Sequence, residues 1–245
     1  MVERYARKEM SSKWTQEARY AAWLEVEKAA VKAWNKLGLI PDSDCEKIVK
    51  NAKFSVERIE EIEAITKHDL IAFNTSVSES LGEESRWFHY GMTSSDAVDT
   101  GVAIQMRDSL QIIIEDVKML MESIKKRAIE HKMTLMVGRS HGIHGEPITF
   151  GLTLAVWYDE VARHLKNLEE TMEVIAVGQI SGAMGNFAHA PLELEEYAMA
   201  ELGLKCEPCS NQVIHRDRYA RLATALALLA SSVEKFAVQV RHLQR

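Results

Sequence analysis

Residues 102–137, VAIQMRDSLQIIIEDVKMLMESIKKRAIEHKMTLMV, contain neither glycine nor proline. Apolar residues recur alternately four and three positions apart within this stretch, which places them on one stripe of a helix. The stripe consists of Met106, Leu110, Ile113, Val117, Leu120 and Ile124. Because the stretch is longer than an average globular helix, we predict one long helix of about 50 Å that buries this stripe.

Two further stretches without glycine or proline show the same pattern, Leu152–Val177 and Cys209–Arg245. The stripe of the second runs through Tyr158, Val161, Leu165, Leu168, Met172 and Ile175. The third keeps heptad spacing through Leu222, Leu226, Leu229, Val233, Phe236, Val240 and Leu243. Such helices need apolar partners on more than one side. We therefore predict an all-α fold in which these long helices pack against several partners.

Residues 1–100 predict a smaller helical domain. Its expected helices are Thr15–Leu37, Asp42–Ala52 and Val56–Leu81, separated by Gly38, Pro41 and the turn at 53–55. This periodicity indicates burial of one face of each helix.

Composition narrows the class of protein. The chain has 245 residues, 47% hydrophobic content, and only 12 glycines and 4 prolines, which favours helices over an all-β domain. No run of eighteen apolar residues is present, so a membrane span is not expected. The net charge of −6, with both signs mixed along the chain, disfavours a general nucleic-acid binder.

The cysteines and the start of the chain point to a reducing compartment. The three cysteines are an odd number, and the first residues lack a secretory signal, so we expect a cytoplasmic location. Cys206 and Cys209 have the spacing of half a redox or zinc motif, and the alternative is two thiols beside a proline turn.

Unusual sequence collects at the predicted helix ends, in Gly91–Asp96, Gly138–Pro147 and Ser181–Asn186. In the second segment His141 suits proton transfer near neutral pH. Two alternatives stay open: His141 and His144 could form half of a metal site, or the segment could be an ordinary loop between helices.

Three other groups are candidates for binding anions. Thr93 and Ser94 precede a long helix and could bind a carboxylate or phosphate, or simply cap the helix. Lys67-His68-Asp69 lies in a predicted helix, where the carboxylate could orient the imidazole, or where all three could form a solvated face. Gln212 and the Arg216-Asp217-Arg218 cluster offer amide and guanidinium groups.

The predicted helix length has a consequence for assembly. A straight helix of about 50 Å puts the Thr93-Ser94 turn and the His141 loop at its opposite ends. One chain could not bring both into one site, so a shared site requires several chains, for which the heptad stripes give a reason.

Taken together, these motifs resemble the adenylosuccinate lyase family of the fumarase and aspartase superfamily. The resemblance covers the whole chain in order, and the Thr-Ser-Ser-Asp segment with the Lys-His-Asp triplet is its most specific part. The matching segments are Arg4-Tyr5, Lys67–Phe73, Phe88–Thr100, Gly138–Pro147, Ser181–Gly185 and Gln212–Arg218.

The resemblance implies a helical homotetramer with composite active sites that eliminates fumarate from adenylosuccinate and from the succinyl-carboxamide ribotide of purine synthesis. It implies that His141 is the general acid and that His68 supports it and binds substrate. The remaining substrate contacts it implies are Arg4, Tyr5, Lys67, Asp69, Thr93, Ser94 and Gln212. No cofactor, metal, nucleic acid or membrane is expected.

One expected part is missing from the sequence. The family's presumed base is a serine in a loop of the form Gly-Ser-Ser-x-Met-Pro-x-Lys-x-Asn-Pro, which does not occur here. We therefore expect the chain to correspond to roughly the first half of such an enzyme and to be inactive alone. In that case residues 101–245 form part of its long-helix bundle, incomplete at its C-terminal end. His215 also departs from the expected pattern. The alternatives are another fumarate-releasing lyase of the superfamily, or a non-catalytic helical assembly module.

Overall fold

The computed structural model describes residues 3–245 as a helical chain with two small pairs of strands. It divides into two compact units, 1–109 with 175–216, and 110–174 with 217–245. The all-α fold class is confirmed. The domains predicted from sequence, 1–100 and 101–245, stay a prediction; the compact units group 175–216 with the N-terminal segment.

The first unit contains the shorter helices and the beginning of one long helix. Its α-helices are α1 (Lys8–Ser11), α2 (Gln16–Lys36), α3 (Asp42–Asn51), α4 (Val56–Thr66), α5 (Asp69–Ser78), the start of α6 (Ser94–Glu130) and α8 (Leu192–Leu202). Short 3-10 helices cover Glu3–Tyr5, Ser12–Trp14 and Glu83–Trp87. A two-stranded parallel sheet joins β3 (Val177–Gly178) to β4 (Lys205–Cys206).

An aromatic cluster forms the centre of the first unit. The Phe73 ring lies 5.5 Å from that of Trp23 and 5.9 Å from that of Tyr20, and all three side chains are buried. Phe54 and Phe88 extend the cluster at 6.0 and 6.2 Å from Phe73. Burial of such large apolar surfaces is the main stabilising contribution in a domain of this size.

The predicted helix Val56–Leu81 is interrupted, and this corrects the prediction that Lys67-His68-Asp69 lies within a helix. Lys67 ends α4 with a left-handed backbone (φ 55°), and His68 is the N-cap of α5. The imidazole Nδ1 of His68 accepts the N–H of Ile71 at 3.3 Å. The interruption has no glycine or proline, so hydrophobic spacing alone could not reveal it.

The second unit contains the long helices and a β-hairpin. It is built from the rest of α6, β1 (Leu135–Ser140), β2 (Ile143–Thr149), α7 (Phe150–Ile175) and α9 (Asp217–Leu243). The helix predicted to reach Val137 ends at Glu130, because the following residues pair in the hairpin, with Leu135 opposite Thr149. Gly151 allows the close approach of α7 to α6: a Cβ there would lie 2.5 Å from the Ala128 carbonyl oxygen.

Helices α7 and α9 pack through one face of each. The rings of Trp157 and Phe236 stack with centroids 4.5 Å apart, and the Trp157 indole N–H donates to Gln239 Oε1 at 3.1 Å. His164 lies 2.7 Å from the Ser232 hydroxyl, which donates to Glu160. These contacts account for the buried side of α9.

An uncovered apolar surface lies beside the buried Phe236 of α9 and consists of Val233, Val240 and Leu243. Val233 is 44% exposed and Val240 is 43% exposed. Leu228 and Val238 are large apolar residues exposed elsewhere on the helix. By length and hydropathy α9 could cross a membrane, with 17% of its most apolar window buried, but core helices of bundles pass the same test.

The aromatic cluster gives a stability prediction. Truncating Phe73 to alanine removes a fully buried ring from the centre of the cluster, and we expect a loss of about 3–5 kcal/mol in the free energy of unfolding. Ile71 on the same helix is half exposed, so Ile71→Ala should cost about 1 kcal/mol or less. Urea unfolding followed by tryptophan fluorescence measures both, and equal losses would contradict the central role of Phe73.

Candidate functional site

Three loops of the first unit meet at the beginning of α6, and the carboxylate of Asp96 joins two of them. Asp96 Oδ2 accepts the backbone N–H groups of Thr93 at 2.9 Å and Gly182 at 3.1 Å. Its Oδ1 accepts the N–H of Ser181 at 3.1 Å. The side chain is fully buried. The Gly91–Asp96 and Ser181–Asn186 segments, both singled out in the sequence, are therefore held side by side.

Asp96 also caps the N-terminus of α6. Thr93 precedes the first residue of α6, and the Asp96 carboxylate reaches back to the Thr93 N–H as in a capping box. The residues predicted to act in this segment were Thr93 and Ser94, and Asp96 was not among them. The signal that could have found it was the acidic residue three positions after Thr93, just before an apolar run.

Burial and hydrogen bonding have opposite effects on the pKa of Asp96. Burial raises the pKa of the Asp96 carboxyl group above its ordinary value, whereas the three backbone N–H donors and the nearby His89 lower it. Glu195, also buried, accepts the N–H of Ile180 at 2.8 Å. Burial, with the nearby charge of Asp96, likewise raises the pKa of Glu195.

The third loop, which carries Gln212, is held by Asp99. Asp99 Oδ2 accepts the N–H of Ile214 at 2.9 Å, and its two oxygens bind the Arg216 guanidinium at 3.0 and 3.1 Å. The Gln179 side-chain amide donates to the carbonyl oxygen of Gln212 at 2.9 Å. The Gln212 side chain itself is exposed.

Gly185 shows how closely the loops approach each other. Its φ is +68°, and a Cβ there would lie 2.4 Å from the Cα of Asn211. Any side chain at this position would push the 181–185 and 211–216 segments apart. On the 211–216 segment His215 Nε2 lies 3.5 Å from Asn211 Nδ2.

Arg4 and Tyr5 occupy the 3-10 helix at the start of the described chain. The Arg4 guanidinium lies 4.7 Å above the Tyr5 ring, and the Tyr5 side chain is 76% exposed. Lys67 and Asp69 flank the N-cap His68, and His68 Nδ1 lies 3.6 Å from Asp69 Oδ1. None of these roles as substrate contacts is tested by the structure.

In the second unit, the segment expected to be a loop is a β-hairpin with His141 at its tip. His141 (φ 54°) and Gly142 (φ 74°) are the two central residues of the turn, and both have the positive φ that a type I′ turn requires. His141 is exposed, and across the hairpin Arg139 Nη2 lies 3.5 Å from His144 Nε2. Arg139 and His242 also line a cleft of about 720 Å³.

Neither metal motif suggested by the sequence has a complete ligand set. Within residues 3–245, the structure has no group of three or more His, Cys, Asp or Glu side chains that could hold a metal ion. Cys206 and Cys209 are free thiols. Burial and the charges of Glu195 and Glu196 raise the pKa of the Cys206 thiol to about 11, so it is protonated and unreactive at neutral pH.

Comparison with known proteins identifies the class. A family model described as lyase matches residues 3–245, so the chain belongs to this lyase family. A solved fumarate lyase from Mesorhizobium sp. BNC1 has a TM-score of 0.91 and 28% identity, over 98% of this chain and 58% of its own. A 3-carboxy-cis,cis-muconate lactonizing enzyme from Pseudomonas putida has a TM-score of 0.87 and 27% identity, over 96% of this chain and 56% of its own.

Within the family the chain is similar to adenylosuccinate lyases. It is 66% identical to that of Helicobacter pylori over 100% of this chain and 56% of the relative. It is 50% identical to that of Aquifex aeolicus over 100% of this chain and 57% of the relative. The chain thus spans little more than half the length of these curated relatives.

The buried carboxylate gives a prediction about the loops. In Asp96→Asn one of the two accepting oxygens becomes an amide nitrogen, which cannot accept a hydrogen bond. That nitrogen must face either the backbone N–H of Ser181 or the N–H groups of Thr93 and Gly182. We expect a loss of about 2 kcal/mol in the free energy of unfolding and faster amide hydrogen exchange at these three residues. Glu122→Gln on the exposed part of α6 should cost about 0.5 kcal/mol or less. Unchanged exchange in Asp96→Asn would contradict the joining role.

Proposed function

We propose that the full-length protein is an adenylosuccinate lyase. It would release fumarate by β-elimination from adenylosuccinate, giving AMP, and from succinyl-aminoimidazole-carboxamide ribotide in purine biosynthesis. The observation that carries the proposal is the 66% identity to the H. pylori adenylosuccinate lyase along the whole of this chain. A cytoplasmic location and a small-molecule nucleotide substrate follow from this proposal.

The chemistry needs an acid and a base on opposite sides of the substrate. Removal of a proton next to a carboxylate builds negative charge on a group that is already anionic, so cations and oriented N–H donors stabilise the transition state. The leaving nitrogen then requires a proton. We assign that donation to His141, whose exposed position at the hairpin tip leaves its imidazole accessible.

The binding residues are proposed to surround the anionic groups of the substrate. His68 would support His141 and contact substrate, with Lys67 and Asp69 beside it. The polar groups of Thr93, Ser94 and Gln212 would meet the succinyl part, and Arg4 and Tyr5 the nucleotide. The base is expected on a loop outside this sequence, so the 245-residue chain alone is expected to be inactive.

Composite active sites are part of the proposal. As the resemblance to the adenylosuccinate lyase family implies, one site would use the Thr93-Ser94 turn of one chain together with the His141 hairpin of another. The uncovered apolar face of α9 supports a homotetramer, because removal of that surface from water favours association.

The test of the proposed activity uses the full-length protein. His141→Gln should reduce fumarate release from adenylosuccinate by about 100-fold or more, which is the usual contribution of a positioned acid. Lys166→Gln, at an exposed position of α7, should leave the rate unchanged. Fumarate is followed by absorbance, with argininosuccinate and malate as comparison substrates.

Three results would contradict parts of this proposal. Faster turnover of argininosuccinate or malate would favour another fumarate-releasing lyase, a possibility supported by the structural similarity to the Mesorhizobium enzyme. Normal turnover in His141→Gln would remove His141 from the mechanism. A full-length protein that assembles and turns over none of the three substrates would favour the assembly module.

The assembly is tested separately. Val233 lies on the uncovered face of α9, so Val233→Asp should convert the proposed tetramer to smaller species, because a buried unpaired charge costs several kcal/mol. Thr224→Asp adds the same charge at another exposed position of α9 and should leave the tetramer intact. Sedimentation velocity gives the masses, and a tetrameric Val233→Asp protein would contradict the assignment of this face.

A further inference from the structure

A buried ion pair next to the α6 loops is used by no step proposed above. The Nδ1 atom of His89 lies 2.6 Å from Oε1 of Glu27, and the backbone N–H of His89 donates to Oε2 of the same carboxylate at 3.0 Å. Glu27 is fully buried on α2, whereas 22% of the His89 side chain is exposed. Both carboxylate oxygens of Glu27 therefore bind His89.

The backbone at His89 is held in an uncommon conformation. Its φ is +63°, in the left-handed region that non-glycine residues rarely occupy. Its carbonyl oxygen accepts the N–H of Met92 at 3.4 Å, which makes residues 89–92 a turn leading directly into Thr93. Gly91 is packed so closely that a Cβ would lie 3.1 Å from the His189 carbonyl oxygen and 3.2 Å from the Trp34 ring.

The charged groups that face the imidazole are Glu27 from α2 and Asp96 from α6. The backbone of His189 packs on Gly91, two residues after His89, and the His189 side chain is exposed. Burial lowers the pKa of His89, but the charge and hydrogen bond of Glu27, with the charge of Asp96, outweigh burial and raise it above its ordinary value. The charged form of the imidazole is thereby favoured more than in a free histidine.

The hydrogen bond also selects which nitrogen is available. Because Nδ1 is bound to Glu27, a ligand at the partly exposed edge of the ring would meet Nε2. A carboxylate that fixes one ring nitrogen of a histidine orients the other and stabilises the charged form. Strained backbone held by surrounding contacts is also common at functional sites.

We propose that Glu27 is a positioning residue that holds the His89 imidazole beside the Thr93–Asp96 turn and presents its Nε2 to an anionic substrate. Glu27 acts through His89, and His89 contacts the substrate. The proposal rests on the proposed lyase function for its substrate and adds two residues to the site.

The first measurement follows the histidine itself in the full-length protein. Replacing Glu27 with glutamine keeps the size of the side chain and removes its charge, so the pKa of His89, read from its ring NMR signals, should fall by about 1 unit or more. Glu25→Gln, an exposed residue of the same helix, should leave it unchanged. An unchanged His89 pKa in folded Glu27→Gln protein would overturn the proposal.

The second measurement is the pH dependence of fumarate release. Because His89 contacts the anionic substrate and must lose its proton at a lower pH without Glu27, KM should begin to rise at a lower pH in Glu27→Gln than in the wild-type protein. The pH dependence of kcat, which reports the general acid His141 in the complex with substrate, should stay unchanged. A purely structural role would change KM or kcat equally at all pH values. A KM whose pH dependence matches that of the wild-type protein would therefore overturn the proposal even if activity fell.

Two further variants keep the result interpretable. Glu27→Asp keeps the negative charge but moves it away from His89, because the side chain is shorter. It should retain most of the raised pKa of His89 while lowering kcat/KM. This variant also replaces Glu27→Gln if Glu27→Gln does not fold. The double variant Glu27→Gln/His89→Gln should lose no more activity than His89→Gln alone, since Glu27 acts through His89. A clearly greater loss in the double variant would overturn this route.

Failure of this proposal differs from failure of the proposed function. If wild-type protein releases no fumarate, the lyase proposal fails, and the role of Glu27 in catalysis fails with it, although the NMR titration still reports the ion pair. If wild-type protein is active and Glu27→Gln matches it in both pKa and pH profile, only the role of Glu27 fails.

Discussion

The arrangement of loops in the first unit depends on the satisfaction of buried backbone N–H groups by side-chain carboxylates. A loop removed from water must find an acceptor for each N–H, or lose about 1–3 kcal/mol for each that is left unpaired. Asp96 accepts three such groups from two loops. Asp99, three residues later on the same helix, accepts the N–H of Ile214 and binds Arg216. The first turns of α6 thus act as the template for three separate segments of chain.

The use of side-chain carboxylates as acceptors concentrates negative charge inside the protein. Glu27, Asp96 and Glu195 are all buried, and burial of a carboxylate is unfavourable unless donors surround it. The donors here are mostly backbone N–H groups, which cannot leave without moving a loop. Their partners also include the imidazole of His89, placed by its own backbone N–H on the same Glu27 carboxylate. The charge balance and the loop conformation therefore depend on each other.

The long helices were predictable because burial leaves a periodic trace in sequence. Leu110 and Val117 on α6, and Val161 and Leu168 on α7, are buried as their spacing requires. The ends of elements were harder. The spacing of apolar residues continues without a gap through the break at Lys67 and up to the hairpin after Glu130. The break also contains no glycine or proline. Both depend on left-handed residues, whose energy is set by local hydrogen bonds that hydrophobic spacing does not report.

The candidate site was predictable in its location and less so in its construction. The polar, glycine-containing segments at 91–96 and 181–186 could be picked out by composition, and the structure brings them together. Their connection through Asp96, and the pairing of Glu27 with His89 across 62 positions of sequence, could not be picked out. A buried acidic residue and a solvated one are the same residue type in the sequence, and only the fold distinguishes them.

The backbone conformation at the hairpin tip is unfavourable for histidine. A type I′ turn favours asparagine and glycine at its centre, and a left-handed conformation costs other residues roughly 1 kcal/mol or more. The chain has histidine at position 141, followed by Gly142. The turn would form more readily with asparagine there, so an imidazole at position 141 lowers the local stability of the hairpin. Ease of folding and the chemistry of the side chain therefore oppose each other at this single position.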